Sequence, residues 1–120
     1  MSLPFFSLVL SCQSMIEQPQ QQKPQNRLLA IGDLHADLTA TKEVLVLAGI
    51  IDNNDQWIAK NTILVQTGDL TDRGPDGDKI LHFMKQLEEE APKHNAQFIT
   101  LIGNHESMNI MGDWRYVSKE

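Results

Sequence analysis

The chain has 120 residues, room for one small domain at most. Asp and Glu outnumber Lys and Arg by 16 to 10, giving a net charge of −6; this excludes binders that grip nucleic acid by neutralising phosphates with Lys and Arg. The single cysteine, Cys12, excludes an internal disulfide framework.

The first element in chain order is apolar, Leu3 to Leu10 in "MSLPFFSLVLSCQS". It is too short to span a bilayer and suits the hydrophobic region of a signal peptide. "VLSC" at Val9–Cys12 resembles a bacterial lipobox, although no Lys or Arg precedes Lys23. Residues 1–12 are therefore read as a signal segment, in which a lipidated Cys12 could tether the protein at the cell envelope; the alternative is a short buried strand or apolar tail on a cytoplasmic protein. Residues 13–27 are rich in glutamine and carry two prolines. They offer too little apolar surface to offset their ordering entropy and read as a linker.

The folded part is expected over 28–120. "LLAI" at Leu28–Ile31 predicts a buried strand ending at Gly32. "DLTATKEVLVLAG" predicts a helix with Leu38, Val44, Leu45, Leu47 and Ala48 as its apolar positions and Gly49 closing it. "IIDNNDQWIAKN" is rich in turns and has room for a short hairpin, and "TILVQT" at Thr62–Thr67 is a second strand. Asp78–Glu90 places Ile80, Phe83, Met84 and Leu87 on one helical face, with Pro92 as the stop. "QFITLI" at Gln97–Ile102 is a third strand, ending at Gly103. Strands alternating with helices predict an α/β domain with a largely parallel sheet.

All three strands run into a glycine followed at once by polar groups: "IGDLH", "TGDLTDRG" and "IGNHE". Ligands sit at the carboxyl ends of strands in open α/β sheets, so the three clusters are expected to converge. Asp33 and His35 are two apart; in an extended segment both side chains leave on one side and can hold one divalent cation. Asp69 follows its glycine as Asp33 does, and its two oxygens can bridge two cations. Asn104 adds a neutral oxygen for the second. Two such ions would offset the crowding of carboxylates. His105 can move a proton near neutral pH, Asp72 can orient it, and Arg73 offers a planar fork matched to phosphate. His82, His94, the run Glu88–Glu90, Trp57 and Trp114 read as solvated or packing residues, and Met108 and Met111 as core or interface.

"GDLH", "GDLTDRG" and "GNHE", in this order and each after an apolar run, resemble the signature of the calcineurin-like metallophosphoesterases. "DRG" points to the phosphoprotein phosphatase branch; "DRGPDGDKIL" and "GNHESMNIMGDWRYVS" are similar to its Shewanella-like members. The resemblance implies a β-sandwich flanked by helices and a pair of divalent metals, manganese, iron or zinc. It makes Asp33, His35, Asp69 and Asn104 metal ligands, His105 the proton donor, Asp72 its partner, and Arg73, with Asn104, the phosphate contacts. It implies direct attack of a metal-bound hydroxide on a phosphomonoester, of a phosphorylated protein or a small molecule. Dinucleoside-polyphosphate hydrolysis and a non-catalytic scaffold are the alternatives. Glu106 belongs to the motif without an assigned chemical role.

The chain departs from the pattern twice. Ala36 stands where the family usually has glycine. The family's two further histidine ligands and second arginine lie downstream of "GNHE", where fourteen residues follow Glu106 and none is histidine. The chain is accordingly read as the N-terminal half of the domain, inactive by itself.

Overall fold

The structure, a computed structural model, describes residues 26–119. The signal segment, Cys12 and most of the linker lie outside them.

Three short strands, β1 (Arg27–Ile31), β2 (Thr62–Gln66) and β3 (Gln97–Thr100), form one parallel sheet in the order β1-β2-β3. Parallel neighbours need crossovers, and helices supply them. Helix α1 (Leu38–Leu47) links β1 to β2 and α2 (Gly77–Glu90) links β2 to β3. This is the α/β alternation expected.

The side-chain alternation of a strand decides which face is buried. Leu29, Leu64 and Phe98 lie in register across the sheet and pack against Leu45 of α1 and Ile80, Phe83, Met84 and Leu87 of α2. The four α2 residues are the predicted face, and all are buried. Trp57 joins this core, 2% exposed, through a single antiparallel bridge between Ile51 and Trp57. That bridge is the hairpin left open by the turn-rich segment. Positions of opposite parity, among them Leu28, Ala30 and Ile99, are half-buried or exposed.

Helix α1 starts where Asp37 Oδ1 accepts the Ala40 N–H at 2.9 Å and ends before Gly49, whose φ is +67°. Its buried residues are Thr41 and Leu45, four apart, while Leu47 is 89% exposed; the apolar pattern overstated the inward face. Helix α2 ends at Glu90 as expected and passes into a 3₁₀ turn over Ala91–His94. Strand β3 stops two residues earlier than "QFITLI" suggested, because the chain leaves the ladder after Leu101 donates to Gln66 O. A third helix, α3 (Asn104–Ile110), was not anticipated. It begins one residue after Gly103, and seven residues are too few for a hydrophobic period to register.

In-register pairing places Ile31, Gln66 and Thr100 level across the sheet. The three motif loops therefore leave the carboxyl end of the sheet side by side.

Candidate metal centre

Gln66 organises the base of these loops. It is fully buried, and its amide answers both neighbours: Nε2 donates to Gly68 O at 2.6 Å and Gly32 O at 3.2 Å, and Oε1 accepts the Gly68 N–H at 2.8 Å. Asp69 then ties all three loops. Its carbonyl accepts the N–H groups of Leu34 and His35, and its Oδ1 accepts the His105 N–H at 3.0 Å.

The loops meet so closely that side chains are excluded between them. A Cβ on Gly68 would collide with Gly103 N, and a Cβ on Gly103 with Asp69 Oδ1 and N. Gly103 has φ −90°, so contact rather than backbone conformation requires it. Gly103→Ala should therefore push Asp69 out of place and cost about 2 kcal/mol or more, read as a lower thermal midpoint together with weaker divalent-metal binding. An unchanged midpoint and metal affinity would show that the loops can part.

Asp33 and His35 do come together, with His35 Nε2 3.5 Å from Asp33 Oδ2, but not through an extended segment. Residues 34–37 form a turn closed by the Asp37 N–H on Leu34 O, in which His35 and Ala36 have φ +45° and +55°, so His35 leaves from a turn. Ala36 is fully buried there. The backbone strain at this position, about 1–2 kcal/mol, is offset in part by burying the methyl group, about 0.8 kcal/mol. Alanine can thus stand in a left-handed position that would suit glycine. His35 Nδ1 lies 3.3 Å from Thr71 O, a carbonyl that can only accept, so Nδ1 carries the proton and Nε2 keeps its lone pair.

One ligand atom each from His35, Asp69 and His105 lies within 4.8 Å of the others. Asp69 and His105 are buried, Asp33 and Asn104 exposed. Asn104 is the first residue of α3, directly before His105. His105 Nδ1 lies 2.8 Å from Asp72 Oδ2, and this side-chain pair is almost completely buried. Arg73 Nη2 lies 3.4 Å from His105 Nε2. Among the described residues Arg73 makes no salt bridge to its neighbours Asp72 or Asp76. The rings of His35 and His105 meet edge to face at 4.9 Å, and the Tyr116 ring lies 5.1 Å from that of His105. The Tyr116 carbonyl accepts the Arg73 N–H.

Glu106 supplies the part that spacing could not. Its Oε2 accepts the N–H groups of Asp69 (2.8 Å) and Gly103 (2.9 Å); its Oε1 accepts Thr71 N (3.0 Å) and Thr71 Oγ1 (2.9 Å). Burial by itself would raise the Glu106 pKa, but the two bonds from Thr71, with those from Gly103 and Asp69, hold it below the ordinary carboxylate range. The only sequence trace of this role is a Glu three residues after the residue that opens a helix, half of a capping box. His82 is exposed and Trp57 packs in the core, as expected, whereas Met111 is 77% exposed.

The calcineurin-like phosphoesterase family model matches residues 26–119. The chain belongs to this family. Among phosphoesterases of known description, it is 47% identical over 110 residues to Shewanella-like protein phosphatase 2 of Arabidopsis thaliana, covering 92% of this chain and 28% of that one. It is 42% identical over 96 residues to Shewanella-like protein phosphatase 1 of Plasmodium berghei, covering 80% and 26%. The chain thus spans little more than a quarter of the curated relatives it matches. The crystal structure of a cold-active protein-tyrosine phosphatase from a psychrophilic Shewanella superposes with a TM-score of 0.73 at 33% identity, over 81% of this chain and 31% of that one. The phosphoesterase fold and the family's dependence on divalent metal follow from membership.

Proposed function

We propose that the intact protein is a phosphatase hydrolysing phosphomonoesters, phosphorylated proteins among them, at a dinuclear metal centre on these three loops. The reading rests on one juxtaposition: the His35, Asp69 and His105 ligand atoms gathered within 4.8 Å, beside the Asp72–His105–Arg73 chain.

The donors fit divalent cations. Imidazole and carboxylate together suit manganese, iron or zinc. Among the described residues, Asp69 Oδ1 has one donor, the His105 N–H, and Oδ2 has none, so a buried carboxylate keeps an oxygen for a cation. Asp33 and His35 would hold one ion, Asp69 would bridge, and Asn104 would help hold the other. Two such ions held there would lower the pKa of a coordinated water and would draw charge from phosphoryl oxygens.

The chain's own residues do the rest. Asp72 holds the Nδ1 proton of His105, which fixes the ring and turns Nε2 towards the site as the atom that delivers a proton to the leaving oxygen. Arg73 is exposed, and its 3.4 Å contact with Nε2 is long for a hydrogen bond. An incoming phosphate can therefore draw its guanidinium away and be gripped by two parallel N–H groups. Asn104 adds an amide for the same phosphate.

Similarity to a protein-tyrosine phosphatase makes a phosphotyrosine peptide the first substrate to try, beside a phosphoserine peptide and a dinucleoside polyphosphate. Phosphate release from a phosphopeptide should vanish on chelation and return with Mn²⁺. Turnover indifferent to chelation would refute the metal centre, and preferential cleavage of the polyphosphate would refute the substrate class.

A further inference from the structure

We infer that Asn109 is a positioning residue for His105, acting through Asp72; the inference rests on the proton-donor reading of His105 given above.

The Asp72 side chain is 2% exposed, and a carboxylate withdrawn from water needs donors on both oxygens. Oδ2 faces His105 Nδ1 at 2.8 Å, and Oδ1 accepts Asn109 Nδ2, also at 2.8 Å. Held at both oxygens, the carboxylate cannot rotate about its bond to the Cβ. Its bond to the imidazole, and with it the direction of Nε2, is fixed. His105 and Asn109 are four residues apart on α3, so one face of one helix delivers both donors.

The amide of Asn109 is held in one sense. Nδ2 faces Asp72 and, at 3.4 Å, Thr71 Oγ1, whose own hydrogen goes to Glu106 Oε1. Flipped, the amide would press its oxygen against the Asp72 carboxylate, two acceptors face to face. In the orientation that satisfies Asp72, Asn109 Oδ1 is buried with no partner. A packing asparagine would be expected to have both ends satisfied. Here one end is sacrificed so that the other can reach the partner of the proton donor.

The test exploits the leaving group. An alkyl phosphate expels a strongly basic oxygen that needs a proton; a dinitrophenyl phosphate expels one that does not. In the intact, metal-loaded protein, Asn109→Leu should lower kcat for the alkyl phosphate roughly ten- to a hundredfold. The loss on the dinitrophenyl ester should be much smaller, and KM for the alkyl ester should hold. In an Asp72→Asn background the same change should add almost nothing, because its route runs through Asp72. Equal losses on both esters, or full additivity with Asp72→Asn, would reduce Asn109 to a structural residue.

A second readout needs no turnover. The His105 Nδ1 proton should give a low-field NMR resonance in the metal-free protein, and Asn109→Leu, or Asn109→Ser should leucine prevent folding, should shift or broaden it. An unmoved resonance overturns the inference. His105→Asn on the same two esters separates the failures. If it too loses both equally, or if the unmutated protein turns over neither, the proton-donor reading falls and this inference with it. If it is selective and Asn109→Leu is not, only the role of Asn109 falls.

Discussion

His105→Asn should lower kcat of the intact protein on an alkyl phosphate by roughly 10²–10⁴-fold, the usual contribution of a general acid, with both metal equivalents retained. Asparagine can still offer an N–H towards Asp72 where the imidazole placed Nδ1, 2.8 Å from Oδ2, so the buried carboxylate keeps a partner. What disappears is Nε2, the atom beside Arg73. The decision between two roles lies in the metal count. His105 also shares a cluster with His35 and Asp69, and as a ligand it would take a cation with it when replaced. With Nδ1 committed to Asp72, however, Nε2 would have to serve both Arg73 and a cation, and a guanidinium 3.4 Å away opposes a second positive charge there. We therefore expect two metals per chain in the variant. A fall to one would make His105 a ligand, and unchanged turnover would remove it from the reaction.

The parts of this site that were legible in the sequence are those written in residue type and order. Glycine after an apolar run marks a strand end, and three such ends carrying Asp, His and Asn mark a convergent site, whatever the fold's details. Backbone conformation was less legible. His35, Ala36, Asp69, Asp72 and Arg73 all have positive φ, five of the eight non-glycine residues that do among the described residues. Only the aspartates and histidine belong to types enriched there. An extended reading of "GDLH" was thus natural and wrong. Strain concentrated in this way persists only where surrounding bonds over-determine it, and those bonds come from far along the chain. Gln66 is a single polar residue at the end of an apolar strand, with nothing in its type to mark its bonds to both neighbouring glycines, and α3 was too short to show a period. Apart from the Gly103 N–H, the side-chain partners of Glu106 and Asn109 lie more than thirty residues upstream, where no local pattern can reveal them.

Glu106→Gln should be among the most destabilising conservative changes in the domain. Each carboxylate oxygen accepts two hydrogen bonds: Oε2 those of Asp69 and Gly103, Oε1 both of Thr71. An amide keeps one acceptor oxygen. Whichever way it is turned, its NH₂ must face two donors, so two bonds to a charged group are lost and replaced by repulsion. Bonds to charged groups are each worth about 1.5–3 kcal/mol, so a loss of about 3 kcal/mol or more is expected in chemical denaturation. The pH dependence carries a sign of its own. The Glu106 pKa is lowered in the folded state, so its contribution is fully present above the unfolded carboxylate pKa and is lost as pH falls through the lower folded value. The metal-free protein should therefore lose stability on acidification across that window. In Glu106→Gln the slope should be shallower, because the amide does not titrate. Metal affinity should fall as well, since Asp69 is held at a positive φ by a backbone N–H that would have lost its acceptor. If the variant matched the parent in stability, acid slope and metal affinity, the three loops would be joined by something other than this carboxylate.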